Sequence, residues 1–435
     1  MTDKPPAHAR FRPSSIPRLA PPPANPDIVV IGAGAAGIGA ARRLLERGLS
    51  VAVLEARDRV GGRAVTVRLR GHAVDLGAHW LHAGSINPLV RLGRARGEPL
   101  RRAPQDSHVR VGRRPGRPEE MRASARAFDL ADRAMTLAAR DGGPDRPAAD
   151  ALPPGLGPWR ARVALVHGLV SGRPLGEVSL HDFPSLEYGD NLFIAGGYGA
   201  YLARLAHGLP VALSTPVAGV ARTGEGVRVE TAAGAAVSAR AVIVTAPVMV
   251  LREAIRFDPP LPASIRAAID GFSNGIYEHA VLHWPSSPFR GADRLASLVG
   301  GRHAPPGLLT RIDGTPFHYV ELDAPSIAAT GGDEDAVRRL VRRVLAEHVG
   351  SRGLRDLSIP LVSQWRRDPW SLGSWAVVPP GHAPARAALR EPVGERIWFA
   401  GEALSHRQWG TVGGAYEEGA RAADAAADRV LNRTP

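Results

Sequence analysis

Three glycines near the start of the chain have the spacing of a turn that binds phosphate groups. Gly32, Gly34 and Gly37 follow a short apolar run, DIVVI, and precede a segment rich in alanine, arginine and leucine. In such a turn the first glycine permits a tight bend, the second admits a pyrophosphate close to the backbone, and the third lets a helix pack on a strand. The helix N-terminus then offers free N–H groups to the phosphates. The sequence therefore predicts a dinucleotide-binding turn between a strand and a helix.

An acidic residue stands where the second strand of this unit should end. Glu55 follows the apolar run SVAVL and lies 23 positions after the first of these glycines, a spacing at which a carboxylate can accept hydrogen bonds from ribose hydroxyls. The turn Gly61-Gly62-Arg63 comes shortly afterwards. A plain NAD domain would enter its next helix here, whereas this turn brings more backbone and a guanidinium to the pyrophosphate. The arrangement favours FAD, the longer dinucleotide.

The segment GAGAAGIGAARRLLERGLSVAVLEARDRVGGR (32–63) resembles the N-terminal signature of the flavin-containing amine oxidase superfamily. That superfamily includes monoamine and polyamine oxidases, L-amino-acid oxidases and LSD-type histone demethylases. The segment DLGAHWLH (75–82) is similar to a block of polyamine oxidases in particular. Further similar segments are GGY (196–198), TPV (215–217), AVIVTAP (241–247), QW to GSW (364–375), PPG (379–381), FAGE (399–402) and GTVGGA (410–415). These segments extend over nearly the whole chain and are closest to those of polyamine oxidases.

The resemblance implies an α/β fold in which a Rossmann-like FAD-binding domain, of the two-dinucleotide-binding type, is interleaved with an α+β substrate-binding domain. Segments 27–86, 196–255 and 385–435 would form the FAD-binding domain, and segments 87–195 and 256–384 would form the substrate-binding domain. Residues 1–26 are rich in proline and basic residues and nearly lack apolar ones. We therefore expect them to be a disordered tail.

The resemblance also implies which residues contact the cofactor. The predicted FAD contacts are Gly32, Gly34, Ala36, Gly37, Glu55, Ala56, Arg57, Gly61, Gly62, Arg63, Gly77, Ala78, His79, Trp80, Val217, Gly401, Glu402, Thr411, Val412 and Ala415. The chain has no cysteine, so the flavin cannot be attached through one, and we expect non-covalent binding.

The family oxidises a C–N bond: a neutral amine gives a hydride equivalent to flavin N5, and the imine product hydrolyses. O2, with formation of H2O2, or another acceptor then reoxidises the flavin. By resemblance, Trp375 is one aromatic wall of the substrate cage, and Thr411 stands where monoamine oxidases have a facing tyrosine. His82 matches a histidine that contacts a substrate nitrogen in some polyamine oxidases. A neutral histidine can form such a contact, since it can hydrogen-bond an amine.

One departure from the family concerns a lysine that holds a water against flavin N5. The only lysine of the chain is Lys4, in the predicted tail, and His279 takes the family lysine's place in the segment GIYEHAVL (275–282). Either His279 holds the water, or reaction with O2 is weak and the protein is a dehydrogenase that uses another acceptor. We list His82, His279, Trp375 and Thr411 as the predicted catalytic residues.

The substrate is left open by the sequence. Carboxylates spaced along a tunnel would suit a polyamine, and the candidates are Asp182, Glu187, Asp190, Glu278, Glu321 and Asp323. A net charge of +13 argues mildly against a highly cationic substrate, so a monoamine, an acetylated polyamine or an amino acid remains possible. For an amino acid, one of the many arginines would bind the carboxylate. His79 and His82 lack further ligands at metal-binding spacing, and no metal is expected.

Two other classes of function remain open. Related flavoproteins that lack the lysine are desaturases or oxidases of C–C bonds or rings. The charge and the basic segment 101–118, interpreted as a loop, suggest a flavoprotein that binds nucleic acid or chromatin, although the charge is diffuse and no known nucleic-acid fold is recognised. The chain lacks an apolar run of about 18 residues and a secretory apolar core, so no membrane span and a cytoplasmic location are expected.

The strands and helices that position these residues are predicted from the periodicity of apolar residues. Predicted strands are 27–31, 50–54, two within 64–76, several within 209–245, then 276–284, 317–323 and 397–400. The first predicted helix begins after Gly37 and ends near Gly48. Further helices are predicted over 87–97, 119–141, 158–170, 198–207, 333–349 and 411–431.

Overall fold

The architecture is taken from a computed structural model that describes residues 11–104, 107–302 and 307–432. The strands in this part of the chain are β1 (Ile28–Ile31), β2 (Val51–Leu54), β3 (Thr66–Leu69), β4 (His72–Asp75), β5 (Leu100–Arg102), β6 (Ser107–Val111), β7 (Arg114–Pro115), β8 (Leu192–Ile194), β9 (Val211–Ala212), β10 (Val217–Arg222), β11 (Val227–Thr231), β12 (Ala236–Ala239), β13 (Ala241–Val244), β14 (Arg256–Asp258), β15 (Ser273–Asn274), β16 (Glu278–His283), β17 (Arg294–Val299), β18 (Gly307–Thr310), β19 (Phe317–Leu322), β20 (Ser358–Val362), β21 (Ala376–Val377) and β22 (Ile397–Phe399). The helices are α1 (Ala35–Glu46), α2 (Pro88–Ala95), α3 (Pro118–Ala138), α4 (Arg160–Ser171), α5 (Tyr198–Leu205), α6 (Val248–Ala254), α7 (Ala263–Asp270), α8 (Ala324–Ala329), α9 (Glu334–Val349), α10 (Ala385–Ala388) and α11 (Val412–Leu431).

Five apolar strands form a parallel sheet in the order β22-β13-β1-β2-β9. All residues of β1, β2 and β13 are buried, as expected for parallel strands that are covered on both faces. Ile28 and Val30 of β1 pack with α1 and α11, whereas Val29 and Ile31 pack with β10, α6 and α7. The glycine turn follows β1 directly, at the carboxyl edge of this sheet.

A second, seven-stranded sheet has the order β20-β16-β19-β18-β17-β6-β7 and is antiparallel except where β6 runs beside β17. One face packs on α9, through Ala280, Val320 and Val341 among others. The other face carries Val281 and Tyr319, which pack with the β3–β4 hairpin. Side chains on this second face are therefore directed towards the β3–β4 hairpin, which comes shortly after the Gly61-Gly62-Arg63 turn in the sequence.

The two large sheets draw their strands from different segments. The strands of the parallel sheet lie within 28–54, 211–244 and 397–399, and those of the seven-stranded sheet lie within 107–115 and 278–362. The assignment of whole segments to an FAD-binding and a substrate-binding domain stays a prediction. Helices α3 and α4 form a further cluster with Val377 and Trp409.

The interpretation of 101–118 as a basic loop is wrong. This segment contains β5, β6 and β7, and β6 continues the seven-stranded sheet by pairing with β17. The alternation in HVRV (108–111) is itself typical of a half-buried strand, but the arginines, glycines and prolines around it dominate the composition of the segment and obscured that signal. Residues 105 and 106 lie outside the described part.

The prediction of a disordered tail is wrong for residues 11–26. Pro13 forms a bridge with Val67 of β3, and the Ser14 N–H donates to the Thr66 carbonyl oxygen at 2.7 Å. Ala20 pairs with Pro210 beside β9. The edges of β3 and β9 offer unpaired backbone groups that a proline-rich extended segment can satisfy, which composition alone does not reveal. Residues 1–10 lie outside the described part.

The other predicted helices and strands are present within a few residues of their expected bounds. Elements that were not predicted include α6, α7, α8, β17, β18 and β20. Across 11–104, 107–302 and 307–432, we find no helix with both the length and the apolar character needed to cross a membrane.

Candidate active site

The glycine turn brings β1, α1 and the end of β13 into close contact. Gly32 has φ +99°, and a Cβ there would lie 2.7 Å from Thr245 Oγ1. A Cβ on Gly37 would lie 1.8 Å from the Gly32 carbonyl oxygen. Both positions therefore require glycine for packing. Of the predicted FAD contacts, Gly37 is the one that does not line the cavity described below, because it lies between α1 and the turn.

The walls of this turn are made of backbone. Gly34 and Gly62 stand against one another, since a Cβ on Gly62 would be 3.3 Å from Gly34 Cα. Gly34 is also the N-cap of α1, and no side chain caps that helix. The first N–H groups of α1 are therefore available to a ligand, and a helix N-terminus attracts negative charge.

Glu55 directly follows β2 and is only 3% exposed. Its Oε2 accepts the Ala33 N–H at 2.6 Å, and its Oε1 accepts the Arg57 N–H at 2.8 Å. Each carboxylate oxygen can accept more than one hydrogen bond. The backbone thus orients the carboxylate while leaving acceptor capacity for hydroxyl groups of a ribose.

Arg63 joins three distant segments. Its Nη1 donates to the Ser374 carbonyl oxygen at 2.7 Å and to Glu402 Oε1 at 3.1 Å. Glu402 also accepts the N–H groups of Ala376 and Gly410. This largely buried network fixes the Gly-Gly-Arg turn against the segment that precedes β21 and the segment that follows β22.

A cavity of about 550 Å³ begins at this turn, a size typical of small-molecule sites. Every predicted FAD contact except Gly37 lines it, and so do all four predicted catalytic residues, His82, His279, Trp375 and Thr411. The uncapped helix N-terminus, the oriented carboxylate of Glu55 and the backbone wall fit the phosphates and ribose of a dinucleotide. The cavity continues beyond these groups into a second half that contains the aromatic and histidine residues.

Trp375 has an aromatic neighbour that was not predicted. Its Nε1 donates to the Ser171 carbonyl oxygen at 2.9 Å, and its ring centroid lies 5.3 Å from that of Tyr277 at an angle of 42°. A Cβ on Gly410 would be 3.2 Å from the Trp375 ring. Trp375 and Tyr277 therefore form an aromatic corner. Tyr277 could have been found from the sequence, because it lies two positions before His279 in an extended segment and shares its face.

Thr411 uses its hydroxyl for helix capping. The Oγ1 accepts the Gly414 N–H at 3.0 Å and donates to the Gln408 carbonyl oxygen at 2.7 Å. Thr411 lines the cavity but does not supply an aromatic wall. Trp370 and Trp409 line it as well, although the ring of Trp409 also receives the Arg386 guanidinium at 4.7 Å.

His82 belongs to a stack of rings on one side of the cavity. Its ring lies 4.4 Å from that of Tyr188, and its Nδ1 is 3.1 Å from Asn191 Oδ1. Burial lowers the pKa of His82 to about 4. The imidazole is therefore neutral at pH 7, which is the form that can hydrogen-bond an amine without repelling its cation.

His279 lies on β16 and faces the cavity. Its Nε2 is 3.1 Å from Tyr277 Oη, and its ring stacks on Tyr319 at 5.3 Å. The His79 ring stands 4.9 Å away. Burial lowers the pKa of His279 to about 4, and burial together with the neighbouring His279 holds the pKa of His79 well below its usual value. His279 therefore carries no positive charge at pH 7, unlike the lysine it replaces.

A partly buried carboxyl group stands opposite His279. Glu321 of β19 is its cross-strand partner, so the two side chains share one face of the sheet. Burial raises the pKa of Glu321 to about 7, although a hydrogen bond from Tyr277 opposes the rise. A Cβ on Gly307 would lie 2.1 Å from Glu321 Oε2, so a larger residue there would displace this carboxyl group. Glu321, Tyr277 and His279 form a hydrogen-bonded row along the cavity.

The structure separates the six candidate carboxylates. Asp190 and Glu321 line the cavity, and the other four do not. Asp182 is bound by Arg386, Glu187 pairs with Arg407, Glu278 accepts bonds from Ser363 and the backbone on the opposite face of β16, and Asp323 caps α8. In the described part of the chain, no group of three histidine, aspartate or glutamate side chains could hold a metal ion.

Comparison with known proteins agrees with this geometry. The sequence profile described as "Flavin containing amine oxidoreductase" matches residues 35–139 and 125–427. The chain therefore belongs to the flavin-containing amine oxidoreductase family, and the predicted fold and enzyme class are confirmed.

Its relatives include several types of enzyme. The chain is 31% identical to polyamine oxidase 4 of Oryza sativa subsp. japonica, over 93% of this chain and 89% of that protein. It is 28% identical to lysine-specific histone demethylase 1B of Mus musculus over 92% of this chain, but it spans only 52% of that protein. In fold it is similar to wild-type putrescine oxidase bound to putrescine, with a TM-score of 0.76, 22% identity, and coverage of 92% of this chain and 98% of that one.

Proposed function

We propose that this protein oxidises a C–N bond of a small aliphatic amine with bound FAD and that the resulting imine hydrolyses. The observation that carries the proposal is that a single continuous cavity joins the glycine turn and Glu55 to the Trp375–Tyr277 corner and the carboxyl group of Glu321. A cofactor held at the first end and an amine held at the second would meet within this cavity.

The cofactor half fits FAD, held non-covalently. The N-terminus of α1 and the backbone of Gly34 and Gly62 would hold the pyrophosphate, and Glu55 would hold a ribose. Arg63 would keep the turn in place through Glu402. When bound, FAD accepts the hydride equivalent of the amine, and the protein supplies binding, orientation and exclusion of water.

The substrate half fits an amine. Trp375 and Tyr277 offer flat faces to a carbon chain, and the carboxylate of Glu321 attracts the ammonium form that dominates in water. His82, neutral at pH 7, can hydrogen-bond the amine nitrogen. The proton that must leave the ammonium before oxidation has an acceptor in Glu321, because burial raises its pKa to about 7.

The role of His279 concerns the electron acceptor. We propose that His279 holds the water that a lysine holds in other family members, so that O2 can reoxidise the flavin and give H2O2. The flavin of a His279→Ala variant should then be reoxidised by O2 about tenfold more slowly after photoreduction, because losing one hydrogen bond costs up to about 1.5 kcal/mol. An unchanged rate of reoxidation would contradict this role and favour an acceptor other than O2.

The experiment that tests the activity is anaerobic mixing of the purified yellow protein with a panel of amines. We expect at least one amine to bleach the flavin band within seconds, and the aldehyde or ammonia product to accumulate when an acceptor is added. If dithionite bleaches the flavin and no amine does, the proposed amine oxidation is wrong.

A further inference from the structure

Two opposite charges line the substrate half of the cavity. One is Glu321, described above, and the other is Arg162, which sequence analysis did not single out. Arg162 is hydrogen-bonded to Ser124, and Glu321 is hydrogen-bonded to Tyr277. No ion pair joins the two groups within the described residues, so neither neutralises the other.

Arg162 lies in the first turn of α4. Its Nε donates to Ser124 Oγ at 3.2 Å, and its guanidinium lies 5.4 Å from the centroid of the Phe128 ring. Within the described residues, no carboxylate oxygen lies within 4 Å of it. Burial lowers the pKa of Arg162 to about 10, so the group is still charged at pH 7. A partly buried charge without a counter-ion is costly, and a bound anion would remove that cost.

One face of α4 connects Arg162 with the aromatic corner. Arg162, Val166, Leu169 and Val170 all line the cavity, as residues at helical spacing should. The Trp375 Nε1 binds the Ser171 carbonyl oxygen at the other end of this helix. Nine residues at about 1.5 Å each separate the two ends by roughly 13 Å. The wall between them is apolar.

We propose that Arg162 is the subsite for an anionic group at the far end of the substrate. The substrate would then be an amine with a terminal carboxylate on an unbranched carbon chain. This inference rests on the proposed amine oxidation and extends it to a substrate class. The ammonium end lies at Glu321 and Tyr277, the carbon chain lies along Val166 and Leu169, and the carboxylate pairs with the guanidinium.

The chemistry of the two ends supports this class over a polyamine. A guanidinium offers a planar pair of N–H groups that matches a carboxylate. A second ammonium in the same place would be repelled by Arg162. A neutral alkyl end would leave the guanidinium without a counter-ion.

The test compares three amines of equal chain length: 5-aminopentanoate, 1-aminopentane and 1,5-diaminopentane, with longer homologues to locate the best length. The ratio of reduction rate to dissociation constant is measured for each by anaerobic mixing. We expect the carboxylate to exceed the alkyl amine by about 10- to 100-fold, as for a hydrogen bond to a charged group, and the diamine to be the poorest of the three.

Variants and a binding measurement make the test specific. In Arg162→Met the advantage of 5-aminopentanoate over 1-aminopentane should disappear, whereas in Arg160→Met, the exposed neighbour on the same helix, it should persist. Calorimetric titration with hexanoate, which cannot be oxidised, should show binding to the wild-type protein and not to Arg162→Met.

The outcomes separate this inference from the proposed function. If the diamine is oxidised best, or if Arg162→Met keeps the preference for the carboxylate, the anionic subsite is wrong while amine oxidation stands. If Arg162→Met does not fold, the order of the three amines and the binding of hexanoate by the wild-type protein decide. If none of the amines, including the longer homologues and the polyamines, reduces the flavin, the proposed function itself is wrong.

Discussion

The charged side chains in the two halves of the cavity have different kinds of partner. In the cofactor half, Arg63 is paired with Glu402, Arg57 with Asp368, and the Glu55 carboxylate accepts two backbone N–H groups. In the substrate half, Glu321 and Arg162 are instead joined to the neutral groups Tyr277 and Ser124, and burial displaces their pKa values from the usual range.

This difference reflects what each half must do. A cofactor that stays bound can be held by backbone and by side chains fixed in ion pairs, because the site does not change during turnover. A substrate must enter, lose a proton and leave, and this requires groups whose protonation state or counter-ion can change. A partly buried charge without a counter-ion is costly for stability. Two such charges with shifted pKa values in one cavity therefore indicate a functional site.

The largest expected effect comes from a bulky substitution in the cofactor half of the cavity. In Gly34→Val the Cβ would lie in ordinary contact with Gly62 Cα, at 3.9 Å, and the side chain would project into the cavity at the N-terminus of α1, where the pyrophosphate is expected. We expect the purified protein to lose most of its flavin absorbance while its circular dichroism is retained. Gly155→Val is the matched control, because nothing lies within 4 Å of a Cβ at that exposed position. Full flavin content in Gly34→Val would mean that the turn does not hold the cofactor.

The second prediction concerns Glu321, whose carboxyl group is hydrogen-bonded to Tyr277. Glu321→Gln removes the charge that attracts the ammonium but keeps the shape of the side chain. We expect the ratio of reduction rate to dissociation constant to fall about 30-fold, or roughly 2 kcal/mol, with flavin content unchanged. Asp190→Asn serves as control, since Asp190 also lines the cavity but has Arg102 at 3.7 Å. Equal losses in both variants would show that pairing does not distinguish the two carboxylates.

The pH dependence of flavin reduction by an amine tests the role of Glu321 further. Because burial raises the pKa of Glu321 to about 7, the carboxylate forms as pH rises through 7, and amine-driven reduction should rise with it. The measured quantity is the wild-type rate divided by that of Glu321→Gln between about pH 5.5 and 8.5, which cancels the titration of the substrate itself. His279, Tyr188 and Tyr277 face Glu321, but their pKa values lie outside this window. A flat ratio would contradict the assignment.

The same division explains what the sequence could predict. The cofactor half consists of local motifs, in which the turn, the helix and Glu55 are close in sequence, and the roles of its residues stay predictions that the cavity lining supports. Glu321 was one of six candidate carboxylates and could not be distinguished from the others, because its place depends on the register of β16 against β19. Arg162 could not be singled out, because its place depends on which face of α4 lines the cavity. Strand β6, in the arginine-rich segment 101–118, and the segment 11–26 were not predicted as ordered structure, because their pairing partners lie far away in sequence.

The smallest expected effect concerns Thr411, which sequence analysis grouped with the catalytic residues. Its hydroxyl is committed to the Gly414 N–H and to the Gln408 carbonyl oxygen at the start of α11, so it resembles the fully paired groups of the cofactor half. Thr411→Ala should lower the free energy of unfolding by about 1 kcal/mol, the typical contribution of an N-cap. Thr411→Ser should retain it, because serine caps equally well. Denaturant unfolding of the flavin-loaded protein measures both. If Thr411→Ala is as stable as the wild type, the hydroxyl is not needed for capping, and Thr411 belongs with the substrate-facing groups instead.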